Sequence, residues 1–382
     1  MDAKEYLLSC MPTEKEVRDF VETRVCDSPE DNNRGWTFDG ELGWVLKDSV
    51  RFDGMDDSNT FYHYEPTGAR RRVHFPDVPC RIHAYGDSFT HCDQVNDGET
   101  WQEYLSAHLG EPVENYGVGG YGVYQAFLRM KRVEAARPAE YVILNVYCDD
   151  HFRNLDAWRT IRFGRRTPCG FPLPHLHVDA ARGECVECAN PTPTVEDVYK
   201  LLDPDWVCET FADDAVLKCV LAGQQRRELA ADDVPMSFGL AHGAMLGGED
   251  LEEFQKAHAE AALSATQKVV EMAEDLTQKE GSKLMVVVSH GGGVLHHALE
   301  GRPRWDQTFL DYLADKDYPV ADTRDAHLED FKSFNVDAQT YMKRFFVGHY
   351  GPAGNFFKAM ALRNVVVDWL DPKPKTYREG AV

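Results

Sequence analysis

RIHAYGDSFT, residues 81–90, is a short strand-like run that stops at a glycine, an aspartate and a serine. The chain then alternates helix and strand. Thr100 to His108 reads as a helix, PVENYGVGGYG (112–122) as a strand running into a glycine-rich loop, and Tyr124 to Ala136 as a second helix. YVILNVY (141–147) is a continuous apolar strand of the kind buried on both faces. Strand alternating with helix is the rhythm of a parallel, doubly wound sheet, whose ligands bind beyond the carboxyl ends of the strands. The rhythm resumes late in the chain. Leu251 to about Lys279 is helical, LMVVVS (284–289) is a buried strand, Pro319 to Asp322 is a last short strand, and Gly354 to Leu370 is a C-terminal helix. The expected fold is α/β, a three-layer α/β/α sandwich around a short parallel sheet.

Two stretches lie outside that rhythm. Residues 1–80 start with a helical twenty residues, then become aromatic and punctuated by Gly and Asp, which predicts short strands and hairpins: a β-rich extension packed on the core. Residues 156–279 interrupt the α/β pattern with a Pro- and Cys-rich segment and end in a long helix, as an inserted cap does. The core is then 81–155 with 280–382. Within the insertion, HLHVD and ECVEC flank AARG. Cys185 and Cys188 with His175 and His177 have the makings of a zinc site, but alternating faces around a turn favour a β-hairpin. The remaining cysteines are scattered, as in reduced, buried positions.

The chain carries 41 Lys and Arg against 64 Asp and Glu, a net charge of −23. That balance excludes a nucleic-acid duplex as the main partner, since phosphate contacts require net basic surface. No apolar run approaches a membrane span, and the acidic N-terminus does not have the basic start and apolar stretch of a signal peptide. A soluble cytoplasmic protein acting on a small molecule is expected. One local reversal stands out: Arg153, Arg159, Arg162, Arg165 and Arg166 face a single acid, Asp156, within residues 153–166. Two readings are open, a face salt-bridged to the acid-rich 209–280 region, or an edge that recognises an anionic substrate.

Four blocks carry potential chemistry. Ser88 of GDSFT sits at a strand end, where a serine becomes a nucleophile if a base and oxyanion donors are near. The loop NYGVGGYG (115–122) offers close backbone approach and N–H groups. CDDHFRN (148–154) packs polar groups at the end of the YVILNVY strand. GHYGPAGN (348–355) places His349 in a Gly/Pro loop before the last helix.

In this order the four blocks resemble the SGNH, or GDSL-type, hydrolase superfamily over roughly residues 80–155 and 280–370. The resemblance implies a flavodoxin-like arrangement of the sheet and a serine esterase working through an acyl-enzyme, with no metal or organic cofactor. It makes Ser88 the nucleophile and one oxyanion donor, Gly120 a second donor and His349 the general base, with Asp87 shaping the turn. Two positions depart. Asp149 stands where the family has an oxyanion-donating Asn, and an ionised carboxylate opposes an oxyanion. Phe346 stands where the family has the Asp that orients the histidine. Asp322 and Asp325 are candidates for a replacement acid, and Arg153 and Asn154 for a replacement donor; Tyr121 is a candidate pocket residue. The first reading is a Ser88–His349 dyad that hydrolyses a small polar or anionic ester. An acyltransferase or lyase on the same scaffold, or a binding protein with a degenerate site, stays open. HGGG (290–293) reads as a strand-to-helix turn, His296 and His297 as helix surface, and Trp101 as core.

Overall fold

The computed structural model describes residues 2–25, 35–165, 170–179, 184–229 and 252–378. The chain divides into two compact units: one contains the N-terminal helices, Trp36–Val45 and His151–Lys268, the other Leu46–Asp150 and the chain from Val269 onward. The stretch 1–80 is thus shared between them.

The second unit holds a five-stranded, wholly parallel sheet: β1 Ile82–Tyr85, β2 Glu114–Asn115, β3 Tyr141–Tyr147, β4 Lys283–Ser289 and β5 Val320–Asp322. Their spatial order is β2-β1-β3-β4-β5. It is the flavodoxin-like order, and strand order reverses between β1 and β3, where such sheets open a crevice at their carboxyl ends. The register pairs Ile82 with Tyr141 and Met285 with Ile143. Alternation then puts Ile82, Ala84, Tyr141, Ile143, Met285 and Val287 on one face. Two helices cover that face, α1 Trp101–Leu109 and a C-terminal helix, Pro352–Trp369, which contribute Trp101, Leu105, Leu109, Ala359, Leu362 and Val366 to a single buried cluster. The opposite face carries His83 and Tyr85, both bonded to Glu134 of α2, Val123–Ala136. Helix, sheet and helix make three layers.

Element boundaries follow local chemistry. Thr100 caps α1 by accepting from the Glu103 N–H, and Gly110 ends it in the left-handed conformation. Pro352 opens the last helix at a position where its missing N–H costs nothing. β4 gives way at Ser289 to α3, Gly292–Leu299, so HGGG is a strand-to-helix turn. Trp101 is fully buried.

In the first unit the N-terminal segment forms two helices, Ala3–Cys10 and Glu14–Val25, where the sequence reads as one. Pro12 lies between them and has no N–H for a helical ladder. Phe171 gathers Phe20, Trp36, Phe38 and Trp44 around it, with ring centroids 4.7 to 6.0 Å away. His175–Asp179 and Glu184–Cys188 pair antiparallel as the expected hairpin, with His175 opposite Cys188; its tip, residues 180–183, lies outside the described residues. Among the described residues these four side chains do not form a metal-ligand cluster. The arginine run is salt-bridged by Asp156 inside it and by Glu16 of the N-terminal helices. Arg162 donates to Asp156 at 2.8 Å with both side chains fully buried, Arg159 lies 3.6 Å from the same carboxylate, and Arg165 binds Glu16. A buried pair of this kind is strongly destabilising to break, because the surviving charge is left without its partner. Arg166 lies outside the described residues. Among the described residues no helix is long and apolar enough to cross a membrane.

Candidate functional site

β1 ends at Tyr85, and the next residue, Gly86, takes φ +156. Only a residue without Cβ fits there, since a Cβ would sit 2.2 Å from Thr90 Oγ1 and 2.8 Å from the Asn145 carbonyl oxygen. Asp87 then caps the short helix Ser88–His91 by accepting from the Phe89 N–H at 2.9 Å. Ser88 is the first residue of that turn, at the carboxyl edge of the sheet and beside the point where strand order reverses.

His349 reaches it from the loop before the last helix: Nε2 lies 2.9 Å from Ser88 Oγ. The other side of the imidazole is held by a residue that no sequence pattern singles out. Gln94 Oε1 accepts from the His349 backbone N–H at 2.8 Å and lies 3.0 Å from His349 Nδ1. Since the backbone N–H can only donate, the amide must present oxygen to it, and its NH2 group donates to the Asp53 carbonyl at 3.0 Å. Oxygen facing Nδ1 makes Nδ1 the protonated nitrogen, and Nε2 is left with a lone pair aimed at the serine hydroxyl. This is the tautomer a general base needs. Phe346, three residues before His349, instead packs its ring on Tyr350 at 4.4 Å. Asp322 caps the helix that starts at Thr323 and pairs with Arg304, while Asp325 is exposed; Gln94 stands where either acid would have had to be.

Gln94 is held by its loop. Its φ is +71, and its N–H donates to Tyr62 Oη at 2.8 Å. The buried Arg70 guanidinium donates to the carbonyls of His91, Cys92 and Val95 and to Asp97, and lies over the Tyr62 ring. Five N–H donors in one rigid fork suit a loop whose carbonyls point inward. Next to Gln94, burial would push the Asp93 carboxyl up, but His91, bonded to it directly, and then His349 and Arg51 hold it well below the usual range. Burial also keeps His91 neutral, down to about 4, with Nδ1 on Asp93 and Nε2 accepting from Tyr64 Oη. An ionised carboxylate therefore stands near His349 without touching it.

The glycine loop packs against the same turn. Asn115 Oδ1 accepts from the Gly117 N–H, and its amide donates to the His91 carbonyl. Gly119 and Gly120 are the central residues of the turn closed by Tyr121 N–H on the Val118 carbonyl. Tyr121 itself is fully buried. Asp149 is partly buried in the turn after β3, and Tyr147, at that strand's end, stacks on Phe89 at 4.3 Å. Arg153 and Asn154 belong to the first unit, where the Asn154 amide donates to Thr266 Oγ1 at 2.9 Å. Below the turn, Lys358 is wholly buried and donates to Asn145 Oδ1, Ser289 Oγ and the Phe89 carbonyl. Burial drives its ammonium down to about 8, against the pull of Cys92 and Asp87. A shallow, open groove lined by Gly292, His296, Gln339, Met342, Lys343 and Phe346 lies on the Phe346 side.

No family model matches the chain, and no curated protein matches it. Among solved structures, it is similar to a chain of Desulfitobacterium hafniense DCB-2 assigned to the G-D-S-L family of lipolytic proteins, at 13% identity and a TM-score of 0.36, covering 75% of this chain and 99% of that one. Likeness that loose assigns neither a family nor an activity.

Proposed function

We propose that the chain is a serine hydrolase of SGNH type that cleaves a small polar ester. The observation that carries this is the Gln94–His349–Ser88 relay, in which a neutral amide fixes the imidazole tautomer and the imidazole faces the hydroxyl. In this reading His349 Nε2 takes the Ser88 proton as Oγ attacks the ester carbonyl. The proton passes to the leaving alcohol as the tetrahedral intermediate collapses, and water, activated by the same nitrogen, releases the acid. The backbone N–H groups of Ser88 and Gly120 are the proposed oxyanion donors. Asp93, ionised and near His349, supplies the negative charge that Gln94 does not, so the transient imidazolium is favoured at longer range. Arg159, Arg162 and Arg165 are engaged by Asp156 and Glu16, which removes the main reason to require an anionic substrate. A fluorophosphonate probe and short p-nitrophenyl esters test the proposal. Wild type is expected to label and turn over, and His349→Ala to do neither; unlabelled, inactive wild type removes the reading.

Two variants probe the departures. Gln94→Ala frees the imidazole, and a misplacement of about 1 Å is expected to cost on the order of 100-fold in kcat with little change in KM. Unchanged kcat would show that Gln94 does not orient the base. Asp149→Asn replaces a carboxylate with a donor at the strand end. If Asp149 opposes the oxyanion, kcat/KM for the p-nitrophenyl ester rises about tenfold, part of the roughly 10²–10³ that one donor is worth. A total loss would instead give the carboxylate its own task.

A further inference from the structure

On the α2 side of the sheet, away from Ser88, three ligand-type side chains converge: Cys80 ahead of β1, His83 on β1 and Glu114 on β2. Cys80 Sγ, a His83 ring nitrogen and a Glu114 carboxylate oxygen all lie within 4.8 Å of one another. His83 and Glu114 are each only 2% exposed. His83 Nδ1 lies 2.8 Å from Glu134 Oε1, and an ionised carboxylate can only accept, so Nδ1 carries the proton. In the neutral ring Nε2 is then left with a lone pair. It is buried without a hydrogen-bond partner, although Glu114 Oε2 is 3.3 Å away, outside hydrogen-bonding alignment. A lone pair facing a carboxylate in a buried setting is repulsive unless a proton or a metal ion sits between them, and the proton's hydrogen bond is out of alignment here. The separation fits one: two ligands on a tetrahedral zinc ion, each about 2.0 Å from it, stand about 3.3 Å apart.

We infer that Cys80, His83 and Glu114 form a binding site for a Zn²⁺-type divalent ion. The donor set of thiolate, imidazole and carboxylate is that of a borderline-soft metal, and water would complete a tetrahedron. Glu134 behaves as the outer partner that metal-bound histidines use, holding the ring by Nδ1 while itself accepting from Tyr85 Oη and the Ala139 N–H. Glu114 is oriented too: Oε2 accepts from Tyr116 Oη at 2.7 Å, and Oε1 faces Arg137 at 3.2 Å and Arg72 at 3.9 Å. Cys80 Sγ rests 3.1 Å from the Ile82 carbonyl and 3.3 Å from that of Pro112. An ion held here would tie the two-residue edge strand β2 to β1.

The test uses the purified full chain, stripped with a chelator and then titrated with Zn²⁺ or Co²⁺. One equivalent is expected to bind, Co²⁺ giving the intense visible bands of tetrahedral coordination with a thiolate charge-transfer band, and Zn²⁺ raising the melting midpoint by several degrees. Cys80→Ser is expected to abolish the charge-transfer band, and Cys80→Ser and Glu114→Gln to remove the Zn²⁺-dependent shift, while Cys185→Ser with Cys188→Ser retains both. His83→Gln adds a third ligand deletion where it folds. No metal uptake by wild type, or a thiolate band that survives Cys80→Ser, overturns the inference.

Discussion

Ser88→Ala is expected to abolish fluorophosphonate labelling and to lower kcat for short esters by at least about 10³-fold, leaving the fold intact. In the proposed mechanism the size reflects the step removed: without Oγ there is no acyl-enzyme, and only the proposed oxyanion donors and binding remain to accelerate attack by water. The effects of Ser88 and His349 are expected to be non-additive, because the histidine acts through the serine. The double variant should therefore be no slower than Ser88→Ala alone. The substitution is mild for the structure. Ser88 is 5% exposed, and Asp87 still caps the turn through the Phe89 N–H. Labelling that persists in Ser88→Ala would place the nucleophile elsewhere, and a melting midpoint lowered by many degrees would mean that the variant reports on folding.

Gly117→Ala is expected to produce a large loss of stability beside the site. A Cβ at 117 would lie 2.2 Å from the His91 nitrogen and 2.6 Å from the Thr90 carbonyl carbon. These are backbone atoms of the Ser88–His91 turn, so no rotamer change relieves the overlap; either the glycine loop or that turn must move. Overpacking a well-filled interior costs about 1–3 kcal/mol, and backbone overlap belongs at or above the top of that range. Several degrees of melting midpoint should be lost. Activity should fall by at least about 100-fold, since the movement separates Gly120 from Ser88. Gly293→Ala is the matched control. It sits in a helix with open space around it, where alanine is neutral or favourable by roughly 0.5–1 kcal/mol. Equal midpoints for the two variants would refute the packing argument.

Much of this arrangement is written locally in the sequence. β3 and β4 are continuous apolar runs because they are buried on both faces, GDS and HGGG punctuate strand-to-helix turns, and GPAGN opens the last helix. Ser88 and His349 are legible as members of an ordered set of blocks, not as isolated residues. Gln94 is not. It is six residues past Ser88 but meets His349 across 255 positions of chain, and glutamine carries no signature for orienting an imidazole. The arginine run is half legible. Its charge invites distant partners, yet Asp156, three and six residues from Arg159 and Arg162, is inside the run. Asp322 stands out as an acid near a strand end, although Asp before Thr-Arg is also an N-cap signal, and that is the role it fills.

The clasp around Gln94 bears on how the protein can be dissected. Asp53 receives the Gln94 amide, Tyr62 its backbone N–H, and Arg70 the carbonyls of the loop that carries it. All three precede the first strand of the sheet. A shortened chain that begins at that strand would keep every residue of the four recognisable blocks and still release the amide that sets the proton on the imidazole. Any truncation meant to keep the Ser88–His349 pair oriented must therefore be cut upstream of Asp53.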